Sequence, residues 1–116
     1  MRGERRALHT LMKAITYSSY GGPEVLTLSE LEDPKVGPGE ILVDVRAAGV
    51  NPVDWKVLSG GLDPLMTTIF PVIPGWDVAG VVTAVGLDVP EFSVGDAVLA
   101  YARKDWVQAG SFAEKM

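Results

Sequence analysis

The chain has 116 residues and a formal charge of −5. This length is enough for one domain with a single core and too short for two. An acidic surface argues against a nucleic-acid partner, because no basic face is available to neutralise phosphates. The lack of cysteine excludes disulfides and thiolate chemistry, and no apolar run approaches the ~20 residues of a membrane span. We expect a cytoplasmic protein without membrane or nucleic-acid partners.

The first eleven residues carry several arginines but no apolar stretch that would fit a secretory signal. We expect residues 1–11 to form an N-terminal extension without order, and residues 12–116 to form the domain. A transit peptide remains an alternative for this basic segment. The only histidine, His9, falls in the extension, where nothing would orient it for catalysis.

The first half of the domain has the pattern of strands separated by turns. Residues 13–20 form a β-rich opening that ends at a Gly-Gly-Pro turn, and residues 25–31 alternate as a half-buried strand that pairs back as a hairpin. Residues 34–40 are a loop by composition. Residues 41–47 alternate most clearly, with Ile, Val, Val and Ala on one face and Leu, Asp and Arg on the other.

One short helix is predicted after this strand. Asn51 suits the N-cap, Pro52 the first helical position, and Asp54 the positive end of the helix dipole. Val53, Val57 and Leu58 would supply the buried stripe, and the helix would end at Ser59-Gly60-Gly61.

Strands return in the second half. Residues 76–85 are almost continuously apolar, which predicts burial on both faces, and a Gly-Asp turn leads into a further strand over residues 97–101. Many short strands at close spacing predict a mainly β fold, a small barrel or sandwich with one or two short helices.

Four polar residues are candidates for chemistry, each with a structural alternative. Asn51 and Asp54 could serve only as helix caps, and Lys56 could be a solvated surface lysine. Asp77 sits in an apolar strand, so it must be paired or have a shifted pKa. A metal site is not expected, because zinc needs three or four Cys, His or carboxylate ligands at fixed spacing.

Several runs in this chain resemble segments of the medium-chain dehydrogenase/reductase superfamily, in family order from about Met12 to the end. The central two are Ala47-Ala48-Gly49-Val50-Asn51-Pro52-Val53-Asp54-Trp55-Lys56 and Pro74-Gly75-Trp76-Asp77-Val78-Ala79-Gly80-Val81-Val82. The others are Tyr20-Gly21-Gly22-Pro23-Glu24-Val25-Leu26, Gly37-Pro38-Gly39-Glu40-Ile41-Leu42-Val43, Phe92-Ser93-Val94-Gly95-Asp96-Ala97-Val98 and Gly110-Ser111-Phe112-Ala113-Glu114. Where the superfamily's alcohol dehydrogenases carry a zinc-binding Cys and a His-Glu pair, this chain has Asn51, Trp76 and Asp77, which is similar to the zinc-free quinone and enone reductases.

This resemblance implies a GroES-like fold, a partly open β-barrel, and hydride transfer from NADPH to a quinone or an α,β-unsaturated carbonyl. It implies that Asn51, Asp54 and Lys56 line the cofactor cleft, with Lys56 as the catalytic cation. Trp55 and Tyr101 are the expected substrate-pocket residues, while Trp106 is better explained by packing. NADPH would be held mainly by a nucleotide-binding domain, whose G-x-G-x-x-G fingerprint this chain lacks.

Two alternatives stay open. The chain could be a non-catalytic GroES-like domain that binds a partner or oligomerises, a homodimer included. It could also be the remnant of a zinc-dependent alcohol dehydrogenase, which the missing ligands disfavour.

Overall fold

A computed structural model describes residues 11–116 of the chain. Apart from Leu11, which is the first residue of a strand, the predicted N-terminal extension and His9 lie outside the described residues. The elements in chain order are β1 (Leu11–Thr16), a 3-10 turn (Pro23–Val25), β2 (Thr27–Glu32), β3 (Ile41–Gly49), α1 (Pro52–Leu58), β4 (Thr67–Ile73), β5 (Asp77–Val85), β6 (Ala97–Tyr101) and β7 (Trp106–Ala109). The mainly β prediction is confirmed.

The predicted hairpin is present. β1 and β2 pair antiparallel from Leu11↔Glu32 to Thr16↔Thr27, and the Gly-Gly-Pro segment turns the chain between them. The observed strands start about two residues away from the predicted bounds, as is usual where the ends of a strand carry few ladder bonds. Alternating residues of β1 are buried, so one face of the hairpin belongs to the core.

The three-stranded sheet has the order β3-β5-β6, with both pairs antiparallel. The predicted alternation along β3 is interrupted, because register shifts occur between Leu42 and Val43 and between Val45 and Ala47. The prediction that residues 76–85 are buried on both faces is wrong for the described residues. Val78, Gly80 and Val82 are buried, while the residues between them are only partly covered, as expected for an antiparallel strand with one face on the core.

A third sheet, which the sequence pattern did not predict, pairs β4 and β7 in parallel through Thr67↔Trp106 and Ile73↔Ala109. Thr-Thr-Ile-Phe-Pro-Val-Ile has no two-residue alternation and contains a proline, so it gives a weak strand signal. The last five residues then join β1 to β3, with Ile15 N–H donating to Phe112 O (2.9 Å) and Val43 N–H to Met116 O (2.7 Å).

The core lies between these sheets and one face of α1. Its larger cluster joins the helix stripe predicted from the sequence to residues of β4, β7 and the segment after β1: Tyr17, Val57, Leu58, Met66, Val72 and Val107. A smaller cluster of Met12, Ala14 and Ile73 packs with Phe112 of the C-terminal segment. Among residues 11–116, no helix is long and apolar enough to cross a membrane.

Candidate functional site

The centre of the site is the place where β3 ends, α1 begins and β5 begins. The antiparallel register pairs Gly49 with Asp77, which brings the residues that follow β3 next to the first residue of β5. Asn51 Nδ2 therefore donates to Asp77 Oδ2 at 2.7 Å, although the two residues are 26 positions apart. Of the two alternatives predicted for Asp77, a partner or a shifted pKa, the structure shows a partner, the helix-capping asparagine.

Asn51 also occupies the N-cap of α1 as predicted, with extended backbone angles and Pro52 in the first turn. The Asp54 carboxylate accepts a hydrogen bond from Asn51 N–H at 2.7 Å, which is one half of a capping box. Asp54 is only 8% exposed. Burial raises the pKa of Asp54, the bond from Asn51 N–H opposes this, and the nearby Asp77 charge adds a smaller rise.

Trp76 is positioned by the turn between β4 and β5. Gly75 has a φ of +99°, a conformation that residues with a Cβ rarely adopt, and an added Cβ would lie 2.4 Å from Ser111 Oγ. The indole packs against the larger core cluster, and its ring stands edge-on to Tyr101 with a centroid distance of 6.1 Å. Arg103 lies over the same ring at 5.9 Å. Trp76 is therefore held by aromatic and cation–π contacts.

The side chains at this position do not form a zinc donor set. The Asn51 amide donates to Asp77, and the indole nitrogen of Trp76 carries a hydrogen and offers no lone pair to a metal. One carboxylate beside these two groups is short of the three or four ligands that zinc takes. Within the described range 11–116, no cluster of three His, Cys, Asp or Glu side chains could hold a metal ion.

Lys56 and Trp55 lie on a different face of the helix from Asp54. Both are exposed, and together with Gly21, Gly22 and Pro23 they line an open groove of about 450 Å³. The structure therefore brings the predicted catalytic lysine together with one predicted substrate-pocket residue, Trp55. It does not place Lys56 against the Asn51–Asp77 pair.

Tyr101, the other predicted substrate-pocket residue, pairs with Asp77 across the β5–β6 ladder. It is 66% exposed and lines a separate open cleft of about 560 Å³ with Gly49 and Asp77. The predicted set thus divides into two places: Tyr101 with Asn51 and Asp77, and Trp55 with Lys56. Trp106, which the sequence assigned to packing, is 45% exposed at the start of β7.

Tyr17 was not among the residues predicted to form the site, yet its side chain lines the same small cavity as Asp54. Tyr17 is 1% exposed, and burial raises the pKa of its hydroxyl to about 12. No pattern in the sequence could have linked it to Asp54, because their proximity depends on how Tyr17, which follows β1, packs with Val57 and Leu58 of α1.

Comparison with known proteins agrees with the resemblance found in the sequence. The alcohol dehydrogenase GroES-like domain family matches residues 37–115. The chain is 46% identical over 91 residues to a chloroplastic quinone-oxidoreductase homolog of Spinacia oleracea, covering 78% of this chain and 28% of that protein. It is 41% identical over 108 residues to a chloroplastic NADPH-dependent alkenal/one oxidoreductase of Arabidopsis thaliana, covering 89% of this chain and 28% of that protein.

Among solved structures, the quinone oxidoreductase of Coxiella burnetii superposes with a TM-score of 0.78 at 30% identity, covering 91% of this chain and 34% of that one. The chain thus spans less than a third of the length of the two curated relatives. The family match covers most of the domain, and the superposed structure has the same fold. This chain belongs to the alcohol dehydrogenase GroES-like domain family, as a quinone oxidoreductase-like member of the medium-chain dehydrogenase/reductase superfamily.

Proposed function

We propose that this chain forms the catalytic-domain part of an NADPH-dependent reductase of quinones or α,β-unsaturated carbonyls that works without zinc. The observation that carries the proposal is the Asn51–Asp77 hydrogen bond beside Trp76, which leaves one carboxylate at the centre of the site where zinc needs three or four ligands. The relatives named as a quinone-oxidoreductase homolog and an NADPH-dependent alkenal/one oxidoreductase support the substrate class and the nicotinamide cofactor.

The residues of this chain would orient the substrate and stabilise the charge that develops on it, while bound NADPH would supply the hydride. Reduction of an enone or quinone builds negative charge on the carbonyl oxygen, and a fixed cation or hydrogen-bond donor lowers that barrier. Lys56 is exposed in the groove beside Trp55 and can hold a phosphate or that oxygen. Asn51 is the proposed hydrogen-bonding residue, Asp54 fixes it through the capping box, and Tyr101 forms an apolar wall.

The open groove and cleft are wide enough for part of a cofactor, but they provide no glycine-rich loop at a helix N-terminus for its pyrophosphate. We therefore expect that the 116-residue chain alone does not oxidise NADPH and binds it weakly. A chimera that joins this chain to the remaining part of the Spinacia oleracea relative should oxidise NADPH in the presence of a quinone or an enone. A folded chimera with no NADPH oxidation above the no-substrate rate would refute the proposed function.

Zinc independence has its own test. Dialysed chain should contain zinc far below one equivalent, and its melting temperature should not change with chelator. A structural zinc ion would be coupled to folding, so its removal would lower the melting temperature. Stoichiometric zinc by elemental analysis would contradict the assignment of Trp76 and Asp77 as groups that do not ligate metal.

A second candidate function is a binding or oligomerisation module, and the free edge of β6 favours it. Within residues 11–116, β6 pairs only with β5, and its Leu99 is 84% exposed. An unpaired strand edge is a template for pairing with another chain. Sedimentation of the wild-type chain and of Leu99→Lys tests this second function. A wild-type dimer that the substitution dissociates would support an oligomerisation module. If both proteins sediment as monomers, the result argues against it.

The cytoplasmic location also remains a proposal, with the chloroplast as the alternative that the names of both plant relatives raise. A fluorescent fusion with and without residues 1–11 tests it. Plastid fluorescence that depends on this segment would identify it as the transit peptide and reject the cytoplasmic location.

A further inference from the structure

A small cavity of about 20 Å³ beside α1 is lined by Tyr17 and Asp54, together with Trp76 and Trp106. One water molecule needs about 10–15 Å³ measured this way, so the cavity has room for a water molecule. Both Tyr17 and Asp54 are more than nine-tenths buried. The cavity is therefore small, and two of the side chains that line it are polar and buried.

The Tyr17 hydroxyl has no hydrogen-bond partner among residues 11–116. Its backbone is fixed by a pair of bonds with Val72, 2.9 Å and 2.8 Å long, and its ring stands edge-on to Phe70. The phenol therefore cannot swing out to solvent without breaking these contacts. A buried hydroxyl without a partner is destabilising, and native proteins usually satisfy such groups with protein atoms or internal water.

Asp54 also lines the cavity. Its Oδ2 accepts from Asn51 N–H, and a carboxylate can accept further hydrogen bonds. The other titratable groups around it are Lys104, which lines the cavity with its ammonium 5.8 Å from the centre of the Trp106 ring, and Asp77 on the far side of Asn51.

We propose that this cavity is a binding site for one internal water, which accepts from the Tyr17 hydroxyl and donates to the Asp54 carboxylate. Tyr17 then acts as a positioning residue. Through the water it holds Asp54 in the orientation that binds Asn51 N–H, and through Asn51 it supports the bond to Asp77. The site can be tested without the redox reaction, since every group in it belongs to the described chain.

Tyr17→Phe removes the hydroxyl and retains the ring, and Tyr20→Phe is the matched control. The Tyr20 hydroxyl donates to Asp63, which does not line the cavity. In the wild-type chain, water-selective NMR should show a long-lived water at the backbone amides of Trp76 and Gly110. In Tyr17→Phe this signal should be lost and the Asp54 pKa, followed by carboxyl carbon shifts, should rise by about 0.5–1 unit, because the carboxylate loses a donor.

Tyr20→Phe should change neither the water signal nor the Asp54 pKa. A dry cavity would give the opposite result for Tyr17→Phe, which would relieve an unsatisfied hydroxyl and raise the melting temperature with the Asp54 pKa unchanged. That result, or the absence of a long-lived water in the wild-type chain, would overturn the proposal.

Discussion

The energy of the hydrogen bond between Asn51 and Asp77 can be measured, and its value tests how the site is assembled. Asn51→Ala removes an amide that donates to a partly buried carboxylate at 2.7 Å. Hydrogen bonds to charged groups contribute about 1.5–3 kcal/mol net, and partial exposure places this one near the lower end, about 1.5 kcal/mol. Loss of the N-cap adds about 1 kcal/mol, so we expect Asn51→Ala to lower the free energy of unfolding by about 2.5 kcal/mol.

A double-mutant cycle separates the two contributions. Asp77→Ala removes the acceptor and keeps the cap, so the coupling energy of Asn51→Ala with Asp77→Ala reports the hydrogen bond alone, about 1–1.5 kcal/mol. Asn51→Ser is the matched control, because serine can cap a helix but is too short to occupy the amide's place beside Asp77. It should lose the bond to Asp77 and retain most of the cap contribution.

Urea denaturation followed by tryptophan fluorescence measures each free energy, provided that the slope of the unfolding free energy with urea is the same for all variants. A coupling energy below about 0.5 kcal/mol is the range found for independent sites, and it would show that the two side chains do not interact in solution. The β3–β5 register would then not assemble the site.

Three further predictions concern single side chains. Lys56→Met in the active chimera should lower kcat/KM at least ~10-fold, about 1.4 kcal/mol, at an unchanged melting temperature, and unchanged kinetics would show that the lysine is only a solvated surface residue. Because burial raises the pKa of Asp54 above its ordinary value of 3.8, its contribution to stability is fully present below pH 3.8 and is lost as pH rises through the folded pKa. Asp54→Asn should therefore gain stability relative to the wild type as pH rises from 3.8 through that pKa, and parallel pH profiles of the two unfolding free energies would contradict this. Lys115→Met removes the ammonium 2.5 Å from Asp33, whose other oxygen is buried with no partner in the described chain. We expect it to lower the free energy of unfolding by about 1–3 kcal/mol, against less than about 0.5 kcal/mol for Arg46→Met, which removes an exposed ion pair. Equal effects of the two changes would refute this prediction.

Structural features that depend on residues close together in the chain were predictable from the sequence alone. The start of α1 follows from Asn51, Pro52 and Asp54, because the capping bonds join residues three apart. The hairpin of β1 and β2 and the strand β6 follow from alternation between turn residues. The order of the family runs, from the Gly-Gly-Pro turn to Gly110-Ser111-Phe112, was enough to identify the superfamily and the mainly β fold.

The tertiary structure alone decided which of these residues meet. The β3–β5 register places Asn51 against Asp77, and the parallel pairing of β4 and β7 joins segments with weak strand patterns. The packing of Tyr17 against the buried face of α1 brings Tyr17 and Asp54 to the same cavity. It also separates Lys56 from Asp54, two residues away, because side chains two positions apart point to opposite sides of a helix. Local hydrogen bonds are set by the residues that form them, whereas contacts between distant residues depend on how the whole core packs.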